Sequence, residues 1–106
     1  MPRTLTLTAV CQDIPGLSEQ TLLEFLHQDW VRPAHRQGEP VFSDADIARI
    51  RLILDLRATL EVEEETLPIV LSLLDQLYAT RRQLRRVIDE AGPDLAGRLT
   101  ALLQDL

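Results

Sequence analysis

The chain has 106 residues, a length that predicts one domain with a small hydrophobic core. Hydrophobic residues make up 45% of it and charged residues 26%, which is typical of a folded protein and argues against disorder. The net charge of -6 argues against a partner that is held through its phosphates, because such binding draws its affinity from Lys and Arg. A basic protein is the partner that this charge favours.

The amino-acid composition and motifs argue against a disulfide, a metal or catalytic site and a membrane location. The single cysteine, Cys11, excludes an internal disulfide and a cysteine-rich metal site. His27 and His35 have no obvious third group beside them, and the chain contains no phosphate loop, nucleophile elbow or metalloprotease pattern. We therefore expect no enzymatic activity, no catalytic or metal site and no cofactor. Since no apolar run approaches about 18 residues and the N-terminus has no hydrophobic signal core, we also expect no membrane contact and a cytoplasmic location.

The N-terminal third predicts a strand and two helices. Residues 4–8 alternate in the manner of a short strand, after which Thr8 can cap a brief helix over residues 9–13. Cys11 on that helix is interpreted as a small core residue. Ser18 is the predicted N-cap of a second helix, residues 19–28. Its spacing predicts a buried face of Leu22, Phe25 and Leu26 and an exposed face of Glu19, Gln20, Leu23, Glu24 and His27.

A hairpin and a third helix follow. Two short extended arms around a loop with Gly38 predict a small wing between residues 30 and 42. Ser43 then opens the next helix, with Asp46 in the position of a capping box. The predicted buried face of this helix consists of Ile47, Ile50, Ile53, Leu54 and Leu60.

A long helix over about residues 64–90 is the central element of the prediction. Its heptad seam consists of Leu67, Val70, Leu74, Leu77, Arg81, Leu84 and Ile88. This seam either closes a core within the chain or forms the interface of a homodimer. Arg81 favours the dimer, because a lone basic residue is costly in a closed core but tolerable at a two-fold contact. Gly92 and Pro93 are predicted to stop the helix, and the leucines of residues 94–106 predict a last amphipathic helix.

The predicted fold class is mainly α. It comprises a helical module with a wing over residues 1–62, a long dimerisation helix over 63–91 and a short C-terminal amphipathic helix over 92–106, which together form one compact domain.

The order of these motifs resembles the winged helix-turn-helix of the MerR type. The resemblance covers about residues 4 to 75, and the residues that match the motifs of that family are Ser18, Thr21, Leu22, Trp30, Val31, Pro33, Gly38, Phe42, Ser43 and Asp46. MerR-type DNA binders usually carry Arg and Tyr directly after the Thr-Leu pair, where this chain has Leu23 and Glu24. A carboxylate facing the DNA groove would be repelled by phosphates, which argues against direct DNA binding.

Within that family the chain is similar to the CbpM-type chaperone modulators. The similarity lies in its overall length, in TLTLTAVCQ, LSEQTLLEFLHQDWVRP and VFSDADIARIRLILDLRATLEV, and in the LSLLDQL segment with the Arg-rich helix end. The resemblance implies a non-enzymatic inhibitor that binds the J-domain of a DnaJ-like co-chaperone, CbpA, holds it away from its DnaK-type chaperone and lowers its DNA binding. A MerR-like transcription regulator is the alternative, and a structural adaptor is a third possibility.

The predicted J-domain-binding residues lie on the second helix and just after it. Leu23 is an apolar residue among carboxylates, and recognition patches usually need an apolar anchor inside a charged rim. The carboxylates themselves are either an acidic docking face or a solvated one. The full predicted set is Glu19, Leu23, Glu24, His27 and Asp29.

Overall fold

The computed structural model describes residues 4–105 and confirms the predicted fold class. These residues form a mainly helical fold with a helix-turn-helix, a wing, a long helix and a short C-terminal helix. The elements are β1 (Thr4–Thr6), α1 (Leu7–Asp13), α2 (Glu19–His27), β2 (Ala34–Arg36), β3 (Glu39–Ser43), α3 (Asp44–Ala58), α4 (Leu67–Glu90) and α5 (Pro93–Gln104). Pairing of α4 with a second copy stays a prediction, as do the three predicted segment boundaries.

The chain divides into two compact units, which we call the N-terminal unit, ending at Pro68, and the C-terminal unit, beginning at Ile69. The N-terminal unit holds α1, α2, α3 and the sheet. The C-terminal unit holds most of α4 and all of α5. Within the part of the chain that the structure describes, no helix combines the length and apolar character that crossing a membrane requires.

The first strand is shorter than predicted. It ends at Thr6, and the Oγ1 atom of Thr6 accepts a hydrogen bond from the backbone N–H of Ala9 at 3.2 Å. Thr6 therefore caps α1, and the prediction that Thr8 is the cap is wrong. The physical reason is that β1 pairs with β3 only as far as Thr6, opposite Val41, so the chain is free to turn into a helix from Leu7.

The wing is part of a three-stranded sheet. β2 and β3 pair antiparallel around a two-residue turn, Gln37 and Gly38, whose φ angles are 54° and 81°. Two positive φ angles give the turn the twist that matches the flanking strands. β1 joins the other edge of β3, so the strand order is β1-β3-β2. The sequence predicted the hairpin, which is confirmed, but not that the N-terminal strand would extend it.

α3 begins as predicted and ends before Leu60. The Ser43 Oγ accepts from the Asp46 N–H at 3.2 Å, and the Asp46 carboxylate accepts from the Ser43 N–H at 2.9 Å, which confirms the capping box. Ile50 and Ile53 are buried, also as predicted. Leu60 is 66% exposed, so its predicted burial is wrong. The helix stops at Ala58, and Leu56 takes the last buried position.

α4 begins at Leu67, three residues later than predicted. The N–H groups of Thr66 and Leu67 both donate to the Glu63 carbonyl at 3.0 Å, so residues 64–66 form a turn that leads into the helix. Pro68 is the second helical residue, where its missing N–H costs nothing. Gly92, with φ 95°, and Pro93 separate α4 from α5 as predicted. Leu106, predicted to lie on the last helix, is outside the described residues.

Candidate protein-binding site

α2 is the element that presents the predicted binding residues. Its cap is confirmed, because the Ser18 Oγ accepts from the Thr21 N–H at 3.1 Å. Leu22 and Phe25 are fully buried and fix one side of the helix against the core. The opposite side is exposed as predicted. We call it, with the turn that follows, the α2 surface: Glu19, Leu23, Glu24, His27 and Asp29, all of them exposed.

Three of these side chains form one stripe along the helix. Glu19, Leu23 and His27 are four residues apart, a spacing that places neighbours on the same face. Leu23 lies at the centre and is 53% exposed, which is unusual for a leucine so close to the buried Leu22. Glu24 lies beside it, one residue further along. The stripe therefore has an apolar centre between Glu19 and His27, with the Glu24 carboxylate next to it.

The turn after α2 is a Schellman motif built on Asp29. The Asp29 N–H donates to the Leu26 carbonyl at 3.1 Å, and the Trp30 N–H donates to the Phe25 carbonyl at 3.0 Å. Asp29 has φ 60°, the left-handed conformation that this motif requires. Asp tolerates that conformation better than most residues with a side chain. The motif thus fixes the backbone of Asp29 at the end of the α2 surface.

The α2 surface is acidic. It holds three carboxylates, and α2 itself contains neither Lys nor Arg. The field of Glu19 reaches the neighbouring helix α1: burial raises the pKa of the Cys11 thiol, and the negative charge of Glu19 raises it further. Cys11 itself is half-buried, at the margin of the core in which it was predicted to lie. Negative charge of this kind attracts cationic groups and repels phosphates.

The comparison with known families agrees with this architecture. Residues 5–88 match the family described as MerR HTH family regulatory protein. The chain belongs to the MerR helix-turn-helix family of regulatory proteins. No curated protein matches it. The matched residues include α2, the wing, α3 and nearly all of α4, so the MerR-like part of the predicted resemblance is confirmed, and its CbpM-type part stays a hypothesis.

In this MerR-family chain, α2 occupies the position of the second helix of the helix-turn-helix. The resemblance implies Arg and Tyr after the Thr-Leu pair in DNA-binding members. Here Leu23 and Glu24 stand at those positions, and both side chains are exposed. The exposed face of α2 therefore offers an apolar group and a carboxylate where a DNA reader offers a guanidinium and a phenol.

The wing carries a basic group that the sequence analysis did not single out. Arg32, His35 and Arg36 are exposed, the last two on β2 at the edge of the sheet. The signal was present in the letters WVRPAHRQG, where three basic residues fall within five positions on a predicted wing arm. The N-terminal unit of this MerR-family chain thus carries carboxylates on α2 and exposes Arg32 and Arg36 at its wing, where Glu39 is the strand partner of Arg36.

Groups that could bind a metal ion are not assembled in the described part of this MerR-family chain. His27 is on α2 and His35 on β2, and both are exposed. Among residues 4–105 no three His, Cys, Asp or Glu side chains are grouped so that they could hold a metal ion.

The seven predicted dimer-interface residues are covered to very different extents within a single chain. Leu67 and Ile88 are buried, with exposed fractions of 0% and 7%, and Val70 and Leu74 are half-buried. Leu77, Arg81 and Leu84 are exposed. Pairing through the whole set stays a prediction. The structure shows in addition that α4 exposes large apolar side chains outside the predicted seam, and the most exposed of them are Ile69, Leu73 and Val87.

Proposed function

We propose that this protein is a non-enzymatic modulator of the CbpM type, which binds the J-domain of a DnaJ-like co-chaperone of the CbpA type. By occupying the J-domain it would inhibit the co-chaperone activity and the DNA-binding activity of that partner. Such a protein would work in the cytoplasm, where its partner acts.

The observation that carries this proposal is the exposed Leu23 on an acidic MerR-type second helix. Protein-binding sites combine a few apolar anchors with a polar rim, whereas DNA-reading helices depend on Arg, Lys and amide side chains. Leu23 supplies the anchor, and Glu19, Glu24 and Asp29 supply the rim. J-domains engage their chaperone through a basic helix, so an acidic helical surface is a suitable competitor.

The negative charge of the α2 surface also supports the proposal, because it disfavours DNA binding by this member of the family. Each carboxylate placed against the phosphate backbone costs binding free energy, and a phosphate-bound protein depends on released counterions for its affinity. A basic helix on a protein partner would attract the same carboxylates that phosphates repel.

A second candidate function, a MerR-like DNA-binding regulator, is favoured by the wing. Arg32, His35 and Arg36 are exposed together, and basic wing residues can contact phosphates. This second candidate function requires that the wing alone provide the basic side chains for DNA binding, because α2 has neither Lys nor Arg.

Titration of a fluorescently labelled J-domain from the cognate co-chaperone tests the proposal. We expect saturable binding, and an absence of binding up to about 100 µM would remove the proposal. A parallel titration with promoter DNA at several salt concentrations separates the second candidate. Affinity that falls steeply with salt is the result expected of a DNA binder, because each phosphate contact adds to the salt dependence.

A further inference from the structure

Leu60 lies just after α3, on a segment that we call the Leu60 loop, residues 59–66. Its side chain is 66% exposed, which is the largest exposed fraction among the large apolar residues that the structure describes. A single exposed leucine is ordinary, so its meaning depends on its surroundings. We propose that the Leu60 loop is a second docking element of this protein, which continues the α2 surface and binds the same basic partner.

The exposure of Leu60 is fixed by the backbone of the loop. The Leu60 N–H donates to the Asp55 carbonyl at 3.0 Å. The Val62 N–H donates to the Leu56 carbonyl at 2.8 Å. Between these two donors, Glu61 has φ 54°, in the left-handed region that residues with a side chain rarely adopt. Because hydrogen bonds already hold this conformation, a partner that covers Leu60 has little additional backbone to order.

Carboxylates follow Leu60 in the chain. Residues 58–80 contain neither Lys nor Arg, and half of the Leu60 loop consists of exposed glutamates: Glu61, Glu63, Glu64 and Glu65. Glu64 forms an ion pair with Arg57 at 3.3 Å. Within residues 4–105, no ion pair involves the other three glutamates. An apolar residue beside unpaired carboxylates has the composition of a recognition site for a cationic partner.

Arg57 connects the Leu60 loop to α2. Its guanidinium carbon lies 5.7 Å from the centre of the Phe25 ring, and its Nη2 atom lies 3.3 Å from the Oε1 atom of Glu64. These two contacts bring the Glu64 carboxylate close to the helix that carries the α2 surface. Phe25 directly follows Glu24, one of the carboxylates of that surface. The two acidic segments are therefore neighbours within the N-terminal unit.

A partner on the α2 surface needs more area than that surface supplies. A protein interface of ordinary size involves about 20–30 residues on each side, whereas the α2 surface has only a few. The Leu60 loop offers the partner neighbouring area with the same sign of charge and a second apolar anchor. A basic helix that is attracted to Glu24 is attracted to these glutamates as well.

Charge also decides against other occupants of the Leu60 loop. A nucleic acid would be repelled by the glutamates, because its affinity depends on neutralised phosphates. A second copy of this chain carries the same net charge of -6 and, in a two-fold contact, would place glutamates against glutamates. A cationic protein surface is the partner that both the loop and the α2 surface favour.

This inference rests on the proposed function and deepens it, because it assigns a further contact surface for the same partner. Titration of the full chain with the J-domain tests it. We expect Leu60→Ser to weaken binding about tenfold, since it removes an apolar anchor without changing the charge. Thr59→Ser, a neutral change one residue earlier, is the matched control and should keep the affinity of the wild type.

The outcomes of this titration separate the two proposals. A wild type that does not bind the J-domain overturns both of them. A wild type that binds, and whose affinity Leu60→Ser leaves unchanged or Thr59→Ser lowers equally, overturns only the role of the Leu60 loop. Circular dichroism of each variant checks that the fold is kept, as the exposure of Leu60 leads us to expect.

Association kinetics provide a second test that leaves Leu60 and the Arg57–Glu64 pair unchanged. We expect the double variant Glu63→Gln with Glu65→Gln to lower the association rate constant at least about threefold at low salt, and the difference to disappear at high salt. Asp89→Asn with Glu90→Gln removes the same charge from exposed sites on α4 and should have a smaller effect. Equal effects of the two double variants would show that net charge alone acts, and would overturn the proposal.

Discussion

The rings of Phe25 and Trp30 lie 5.7 Å apart at an angle of 44°, across the turn that ends α2. This contact joins the last buried residue of the helix to the first residue after Asp29, as the Schellman motif favours. Two residues of α3 also contact Phe25 and Trp30. The Arg57 guanidinium lies 5.7 Å from the Phe25 ring centre, and the Arg49 Nε–H donates to the Trp30 carbonyl. The α2 surface is therefore anchored to the buried core through Phe25 and Trp30.

Loss of the Phe25 side chain should destabilise the N-terminal unit. We expect Phe25→Ala to lower the free energy of unfolding by about 3–5 kcal/mol, because it leaves a cavity under α2 and removes the ring from beneath Arg57. Leu60→Ala is the control, since a side chain that is 66% exposed should cost less than about 0.5 kcal/mol. Urea unfolding followed by circular dichroism measures both. A similar loss in the two variants would contradict this assignment of the core.

Substitutions on the α2 surface should weaken J-domain binding without unfolding the protein. We expect Leu23→Asp and Glu24→Arg each to weaken J-domain binding by about tenfold or more, because the first removes the apolar anchor and the second reverses a rim charge. Both side chains are exposed, so the unfolding midpoint should move little.

Gln20→Ala provides the matched control for these two variants. Gln20 is exposed on the same helix but adds neither charge nor apolar area. Its affinity for the J-domain should equal that of the wild type. Unchanged affinity in both Leu23→Asp and Glu24→Arg would move the binding site away from the α2 surface.

The capping box of α3 should make a measurable contribution to stability. Ser43→Ala removes the oxygen that accepts from the Asp46 N–H, and we expect a loss of about 1 kcal/mol in the free energy of unfolding. Ser72→Ala, an exposed serine inside α4, should change stability by less than about 0.5 kcal/mol. Two equal values would mean that the cap is not a stabilising contact.

Cys11 should react slowly with alkylating agents near neutral pH. Burial and the charge of Glu19 both raise the pKa of its thiol above the ordinary value of 9.0, so the reactive thiolate is scarcer than in a free cysteine. Because the folded pKa is raised, the associated stability is fully present below 9.0 and is lost as the pH rises through the folded pKa. Glu19→Gln should shift the alkylation profile to lower pH. A profile that stays unchanged would show that Glu19 does not act on the thiol.

Local signals in the sequence predicted the starts of α2, α3 and α5. Ser18, Ser43 and the Gly92-Pro93 pair each act through bonds or dihedral limits within a few residues, and each was placed correctly. The exposed Leu23 followed from helical spacing once Leu22 and Phe25 were assigned to the core. Helical spacing therefore predicts the exposed residues of the α2 surface from the sequence alone.

Features that depend on distant parts of the chain were missed. Thr6 became the cap of α1 because β1 pairs with β3, more than 30 residues away. Leu60 was assigned to the core by periodicity, but the helix that carried the period had already ended. The periodicity of α4 predicts an apolar seam, but it cannot show which of the apolar side chains on α4 are covered within a single chain.

The most direct test of the account is a pair of titrations of one protein sample at physiological ionic strength, one with the J-domain of its co-chaperone and one with promoter DNA. We predict saturable binding to the J-domain that Glu24→Arg weakens, and no specific binding to the DNA. Protection of a defined operator together with indifference to the J-domain would contradict the central claim that an acidic, leucine-centred α2 surface has replaced a DNA-reading one.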